Sequence, residues 1–304
     1  MRAGRGFGKG AAALAAIWLL ASCSVVEQGT EILADTGQIS ASDQKAIVST
    51  SRAARSTFSE ITGEEEHYIG RGVAALVLAR YSVYRNDALT RYLNELGQSV
   101  AVFSDRPETY GGYHFAVLDS DEINALAAPG GLIFVTRGLV RRCANEEMLA
   151  AVLAHEVGHV SAKHGLQSIQ KSRLIEAFEV IGQTAADRYG PEQLSRLTSL
   201  FEGALGDVVD TLIIRGYDRK FEYQADELAV KYLAAAGFAP RGLPDFLEIL
   251  AGAGASEQGK GWFKTHPSAG QRLERAKPAA DSTGAAVKVP ASRTQRFQKN
   301  VKGV

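Results

Sequence analysis

The segment His155-Glu156-Val157-Gly158-His159 sets two imidazoles and a carboxylate within five residues. On an α-helix four residues turn about 400°, so the two histidines project from one face, one turn apart. Their nitrogens can then reach one Zn²⁺ at roughly 2.0–2.1 Å. Glu156 stands beside them, where it can take a proton from a water activated by the metal. The motif sits in the apolar run 149–160, LAAVLAHEVGHV. Two histidines and an acid are costly there unless paired or metal-bound.

A catalytic zinc needs a third protein ligand. The metzincin pattern puts Gly three residues and His six residues after the second histidine, and Ala162 and Gly165 stand there instead. That class is excluded. His164, on the same helix, would point about 140° from His159 and reads as a C-terminal residue favourable to the helix dipole. A second helix offers Glu222 and Asp226, four residues apart on one face. Glu222 can bind zinc while Asp226 receives the other N–H of a ligating histidine.

These residues need helices and an edge to hold them. Glu64–Tyr81 carries Ile69, Val73, Leu76, Val77 and Arg80 at helical spacing, and Leu89 to Phe103 repeats the pattern. Tyr113–Leu118 alternates as a strand. Ile123–Ala127 and Leu132–Val135 flank Pro129-Gly130-Gly131 and predict a hairpin. Asn145 caps a helix that runs to about His164 and stops at Gly165. Residues 166–215 read as helical but irregular. Asp218 opens a helix ending at Gly237, 251–261 is a glycine-rich loop, and Ser268–Ala276 is a last short helix. Six basic residues and one acid follow from Lys277, predicting a mobile tail over 277–304. Cys143 reads as a buried apolar residue without a base, and His67 and His114 as structural or exposed.

Several blocks together resemble metallopeptidase family forty-eight, the gluzincins that include the HtpX-like, CAAX prenyl and beta-barrel assembly-enhancing proteases. They are Asn124 to Leu139 around Pro129-Gly130-Gly131, Asn145-Glu146-Glu147 through HEVGH to His164, Arg219 to Asp226, and Thr265-His266-Pro267. The resemblance covers about residues 60–276. It implies an α+β fold, mostly helical and zincin-like, with a small antiparallel sheet. It implies one zinc per chain on His155, His159 and Glu222, with Glu156 as general base and Asp226 behind the ligands. Asn124, Ala125, Leu126 and Ala127 would form an edge strand that binds extended peptide by main-chain hydrogen bonds. In a periplasmic member the histidine matching His266 can fill the fourth zinc position and keep the enzyme latent. A structural histidine and a donor to the substrate oxyanion are the other roles open to His266. The residues carry no 20–50-residue repeat, unlike members with a helical-repeat domain, and a prenyl-protein substrate is not expected without membrane spans.

The start of the chain reads as an address. Arg2, Arg5 and Lys9 precede the apolar stretch Ala11–Ala21, too short for a span of roughly 20 residues and suited to a signal peptide. Leu20-Ala21-Ser22-Cys23 resembles the bacterial lipobox. That implies residues 1–22 are removed, Cys23 is lipidated and 23–59 is a tether. Ser24 after the cysteine goes with the periplasmic face of the outer membrane. Among 304 residues, 34 are basic and 34 acidic, which argues against a general nucleic-acid binder. No phosphate-binding glycine loop precedes a lysine, so no nucleotide is expected. The expected activity is a zinc endopeptidase acting on misfolded or unassembled envelope proteins. The alternative is a zinc-bound, chaperone-like outer-membrane assembly factor with little proteolysis.

Overall fold

The computed structural model describes residues 61–169, 191–252, 261–266, 269–283 and 288–304. The signal segment, Cys23, the tether, most of the glycine loop and Pro267 lie outside them.

Helix α1 (Gly63–Arg80) starts on a capping box, Thr62 accepting from the Glu65 N–H while the Glu65 carboxylate accepts from the Thr62 N–H. It buries Gly70, Val73, Ala74 and Val77, whereas Leu76 from the expected stripe is exposed. The reason is a close approach: a Cβ on Gly70 would stand 1.9 Å from the Pro129 carbonyl oxygen. Helix α2 (Asp87–Ala101) is amphipathic and begins at Asn86, whose side chain accepts from the Leu89 N–H.

Strands β1 (His114–Leu118), β2 (Ala125–Ala128) and β3 (Leu132–Thr136) form one sheet in the order β1-β3-β2. The predicted hairpin is present as β2 against β3. The sheet is mixed rather than antiparallel throughout, because β1 runs parallel to β3. The chain reverses between β1 and β2 and again at Pro129-Gly130-Gly131, which returns β3 to the direction of β1. Gly130 at φ 76° and Gly131 at φ 99° make that second reversal in the left-handed region.

The outer rim of β1 is closed by two side chains and, toward its end, by the backbone of residues 82–84. The Asn94 amide accepts from the Phe115 N–H and donates to the Phe115 carbonyl, as a neighbouring strand would. Gln98 donates to the Tyr113 carbonyl, and Tyr84 N–H donates to the Val117 carbonyl. The outer rim of β2 faces the candidate site. The Thr136 N–H donates to the Asn124 carbonyl. The alternation of an antiparallel ladder then turns the backbone groups of Ala125 and Ala127 away from β3.

After the short α3 (Arg137–Arg142) comes α4 (Glu146–Ser161), capped by Asn145, whose side chain accepts from the Met148 N–H at 2.9 Å. Every residue from Glu146 to Val160 is buried, as expected of a helix apolar on all sides. It packs against α2, β2, α7 (Arg219–Ala235) and α8 (Gly242–Gly252). The helix ends earlier than the sequence suggested. Lys163 adopts φ 56°, and His164 opens the separate turn α5 (His164–Gln167). Helix α6 (Pro191–Val209) continues into a π-helical stretch over Asp210–Arg215. Helices α9 (Trp262–Thr265) and α10 (Ala269–Ser282) follow.

The tail is not a loose basic segment. Its α11 (Ala291–Val301) buries Phe297 against the core. Arg293 Nη1 donates to Glu147 at 2.8 Å and Arg296 Nε to Glu146 at 2.8 Å. Those two acids are buried in the first turn of α4, and buried carboxylates require cations. No helix among the described residues is long and apolar enough to cross a membrane.

Candidate metal centre

Side chains from three segments meet under β2. His155 and His159 project from one face of α4, Glu222 from α7, and His266 from the end of α9. Their ligand atoms all lie within 4.8 Å of one another, and all four residues are buried. His155 Nε2 and His159 Nε2 are 3.1 Å apart. Glu222 lies 3.6 Å from His155 Nε2 and 3.5 Å from His159 Nε2. His266 Nδ1 lies 3.3 Å from His155 Nε2 and 3.1 Å from Glu222 Oε1. Tetrahedral zinc with bonds of roughly 2.0–2.1 Å requires ligand atoms about 3.3–3.4 Å apart. The nitrogen and oxygen donors therefore fit that ion.

Glu156 is fully buried, and neither of its oxygens has a hydrogen-bond partner among the described residues. Burial raises its pKa to about 7. A carboxylate free of hydrogen bonds beside the candidate ligand nitrogens is what a proton acceptor needs. Burial lowers His155 to about 4 and carries His159 well below the ordinary range, so both imidazoles are neutral, as metal ligation demands.

Asp226 Oδ1 lies 3.0 Å from His155 Nδ1. Burial alone would raise Asp226, but Arg272 and His155 outweigh it and hold the carboxyl at about 2. Arg272, on α10, is fully buried. It donates to Asp226 through Nε at 2.8 Å and Nη2 at 2.7 Å, and its Nη1 pairs with Glu222 Oε2 at 2.8 Å. Sequence reading missed it. The available signal was its spacing: Arg272, Ala276 and Ala280 share the buried stripe of α10, so a charge stands where an apolar residue is expected.

The segment carrying His266 is tied to the sheet. Trp262 N–H donates to the Ile123 carbonyl at 2.6 Å, and Thr265 Oγ1 donates to Asn124 Oδ1 at 3.0 Å. Asn124 thus anchors this segment rather than facing the rim. Leu126 belongs to the β3-bonded set, and Ala125 and Ala127 face outward. The His266 ring stacks on Trp262 at 4.1 Å, and His159 stacks on Tyr217 at 4.2 Å. His266 Nε2 lies 3.4 Å from the Ala125 carbonyl oxygen and 3.6 Å from Glu156 Oε1. His164 does not stand at a solvated helix end. It is buried against His159, with Nδ1 to Nδ1 2.9 Å. Cys143 is buried and free, and burial pushes its thiol pKa up.

A two-histidine helix, a carboxylate from its neighbour and a free glutamate between them define the metallopeptidase class of hydrolases. The model of peptidase family M48 matches residues 87–280, and the chain belongs to that family. The chain is 29% identical over 198 residues to the beta-barrel assembly-enhancing protease of Escherichia coli (strain K12), covering 64% of this chain and 39% of that protein. It is 29% identical over 153 residues to the mitochondrial metalloendopeptidase OMA1 of Schizosaccharomyces pombe, covering 50% of this chain and 42% of that one. It is 26% identical over 196 residues to the metalloprotease LoiP of Escherichia coli (strain K12), covering 64% and 71%. The chain spans about two-fifths of the length of the beta-barrel assembly-enhancing proteases it matches.

Proposed function

We propose that this chain is a zinc-dependent endopeptidase of the cell envelope that hydrolyses misfolded or unassembled proteins. The observation that carries this reading is Glu156, buried and without a hydrogen-bond partner, beside four converging candidate ligand atoms. One zinc per chain, held by His155, His159 and Glu222, supplies Lewis acidity toward the scissile carbonyl and a water. Glu156 accepts the proton of the attacking water and passes it to the leaving amine. Asp226 accepts the Nδ1 proton of His155, which turns the bare Nε2 toward the ligand set. Arg272 keeps Asp226 ionised and aims Glu222.

Substrate lies extended along β2, pairing with the outward backbone groups of Ala125 and Ala127. Main-chain pairing tolerates many side chains, which suits unfolded clients. His266 acts as a latch: its Nδ1 occupies the fourth ligand place, and it must swing away for substrate to enter. The envelope address rests on the signal segment, the lipobox with its lipid-bearing Cys23, and the likeness to the beta-barrel assembly-enhancing proteases.

His266 inside the ligand set also favours a second reading, a chaperone-like assembly factor with little proteolysis. One assay separates the two. Purified chain is expected to cleave casein, Glu156→Gln to abolish cleavage while retaining zinc, and His266→Ala to raise it. No cleavage by either the parent or His266→Ala would favour the chaperone. Equal cleavage by parent and Glu156→Gln would remove Glu156 as the base.

A further inference from the structure

We propose that His164 and Gln224 form an uncharged relay that fixes the tautomer and aim of the metal-ligand candidate His159. The relay rests on reading His159 as a ligand. His164 is polar yet fully buried, and the left-handed turn at Lys163 folds its ring back onto the preceding helix. Its Nδ1 lies 2.9 Å from His159 Nδ1, and its Nε2 lies 3.1 Å from Gln224 Oε1.

Two ring nitrogens facing each other share one hydrogen. His159 directs Nε2 at the ligand set, 3.1 Å from His155 Nε2, so that nitrogen must be bare. A neutral His159 then carries its hydrogen on Nδ1 and donates it to His164 Nδ1. His164, accepting there, carries its own hydrogen on Nε2 and donates it to the Gln224 amide oxygen. Every ring nitrogen is used and no net charge is created. Aromatic rings wall the pair, with Phe221 4.5 Å from His164 and Tyr217 4.2 Å from His159.

The two ligand histidines are thus supported differently. His155 faces an ionised carboxylate braced by Arg272, whereas His159 faces a neutral imidazole backed by an amide. The sequence cannot announce this relay, because HEVGH is complete without it and Gln224 lies 60 residues from His164.

Two measurements test the relay. In the zinc-loaded, histidine-labelled full chain, long-range proton–nitrogen correlation is expected to find His159 protonated on Nδ1 and His164 on Nε2. His164 protonated on Nδ1 would overturn the relay. In chelator competition, His164→Phe, which keeps an aromatic ring and loses the acceptor, should weaken zinc binding about 10–100-fold. His164→Asn, whose Oδ1 can replace Nδ1 as acceptor, should recover most of that loss. Gln224→Leu changes an exposed residue without threatening the fold and should weaken binding less. Should His164→Phe not fold, the tautomer spectrum and Gln224→Leu decide. Equal zinc affinity in all variants would overturn the relay. A parent chain that takes up no zinc would overturn the metal site and the relay together. Zinc uptake without proteolysis would overturn only the catalytic reading.

Discussion

A single guanidinium at position 272 serves two carboxylates and touches the ring of a candidate ligand, His155. Removing one partner from a buried charge network costs about 3–5 kcal/mol because the others are left unpaired. Arg272→Met is therefore expected to lower the thermal midpoint of the metal-free chain and weaken zinc binding at least tenfold, read by scanning calorimetry and chelator competition. Arg272→Lys should not rescue it, since a point charge cannot grip Asp226 with two parallel bonds. Glu156 gives a prediction of opposite sign. Its pKa rises from 4.5 to about 7, so the metal-free fold favours the protonated form. That stability is present below about pH 4.5 and is lost as pH rises through 7, amounting to about 3 kcal/mol. Glu156→Gln should make the metal-free chain more stable than its parent at pH 8, with the gain vanishing near pH 4.5 in urea melts. At this scale the sequence was informative where spacing along one helix suffices, as for His155, Glu156 and His159. It was silent where the partner comes from elsewhere in the chain, as for Arg272, or where a left-handed residue redirects it, as for His164.

At the scale of elements, β2 and α11 carry the consequences. The hairpin around Pro129-Gly130-Gly131 was legible because only certain residues tolerate that turn. The parallel placement of β1 was not, since strand order depends on the path between strands and leaves no periodic mark. If β2 receives substrate, Ala127→Pro removes an outward N–H and spares the bonds to β3. It should cut kcat/KM for unfolded substrates about tenfold, mostly through KM, with zinc content unchanged. Counting charges along the tail cannot show that Arg293 and Arg296 reach buried Glu147 and Glu146. Phe297→Ala should destabilise the chain by about 3 kcal/mol, measured by denaturant midpoint, and leave the ligand atoms in place.

At the scale of the molecule, the candidate ligands join α4, α7 and the segment after α9, elements far apart in the chain. An ion held among them would bind the native arrangement and not the unfolded chain. The thermal midpoint should then rise with free zinc, by about 2.7 kcal/mol of stability at a hundred times the dissociation constant. Chelation should reverse it, and a midpoint indifferent to zinc would count against the site. The sealed outer rim of β1 bears on the activity proposed above. If misfolded proteins are its substrates, the chain concentrates around itself the frayed, sticky strands from which aggregates grow. With Asn94 and Gln98 occupying the rim, the sheet presents a growing cross-β assembly with little to extend on that side. Asn94→Ala would reopen it, and incubation with unfolded clients should then seed turbidity where the parent chain stays clear.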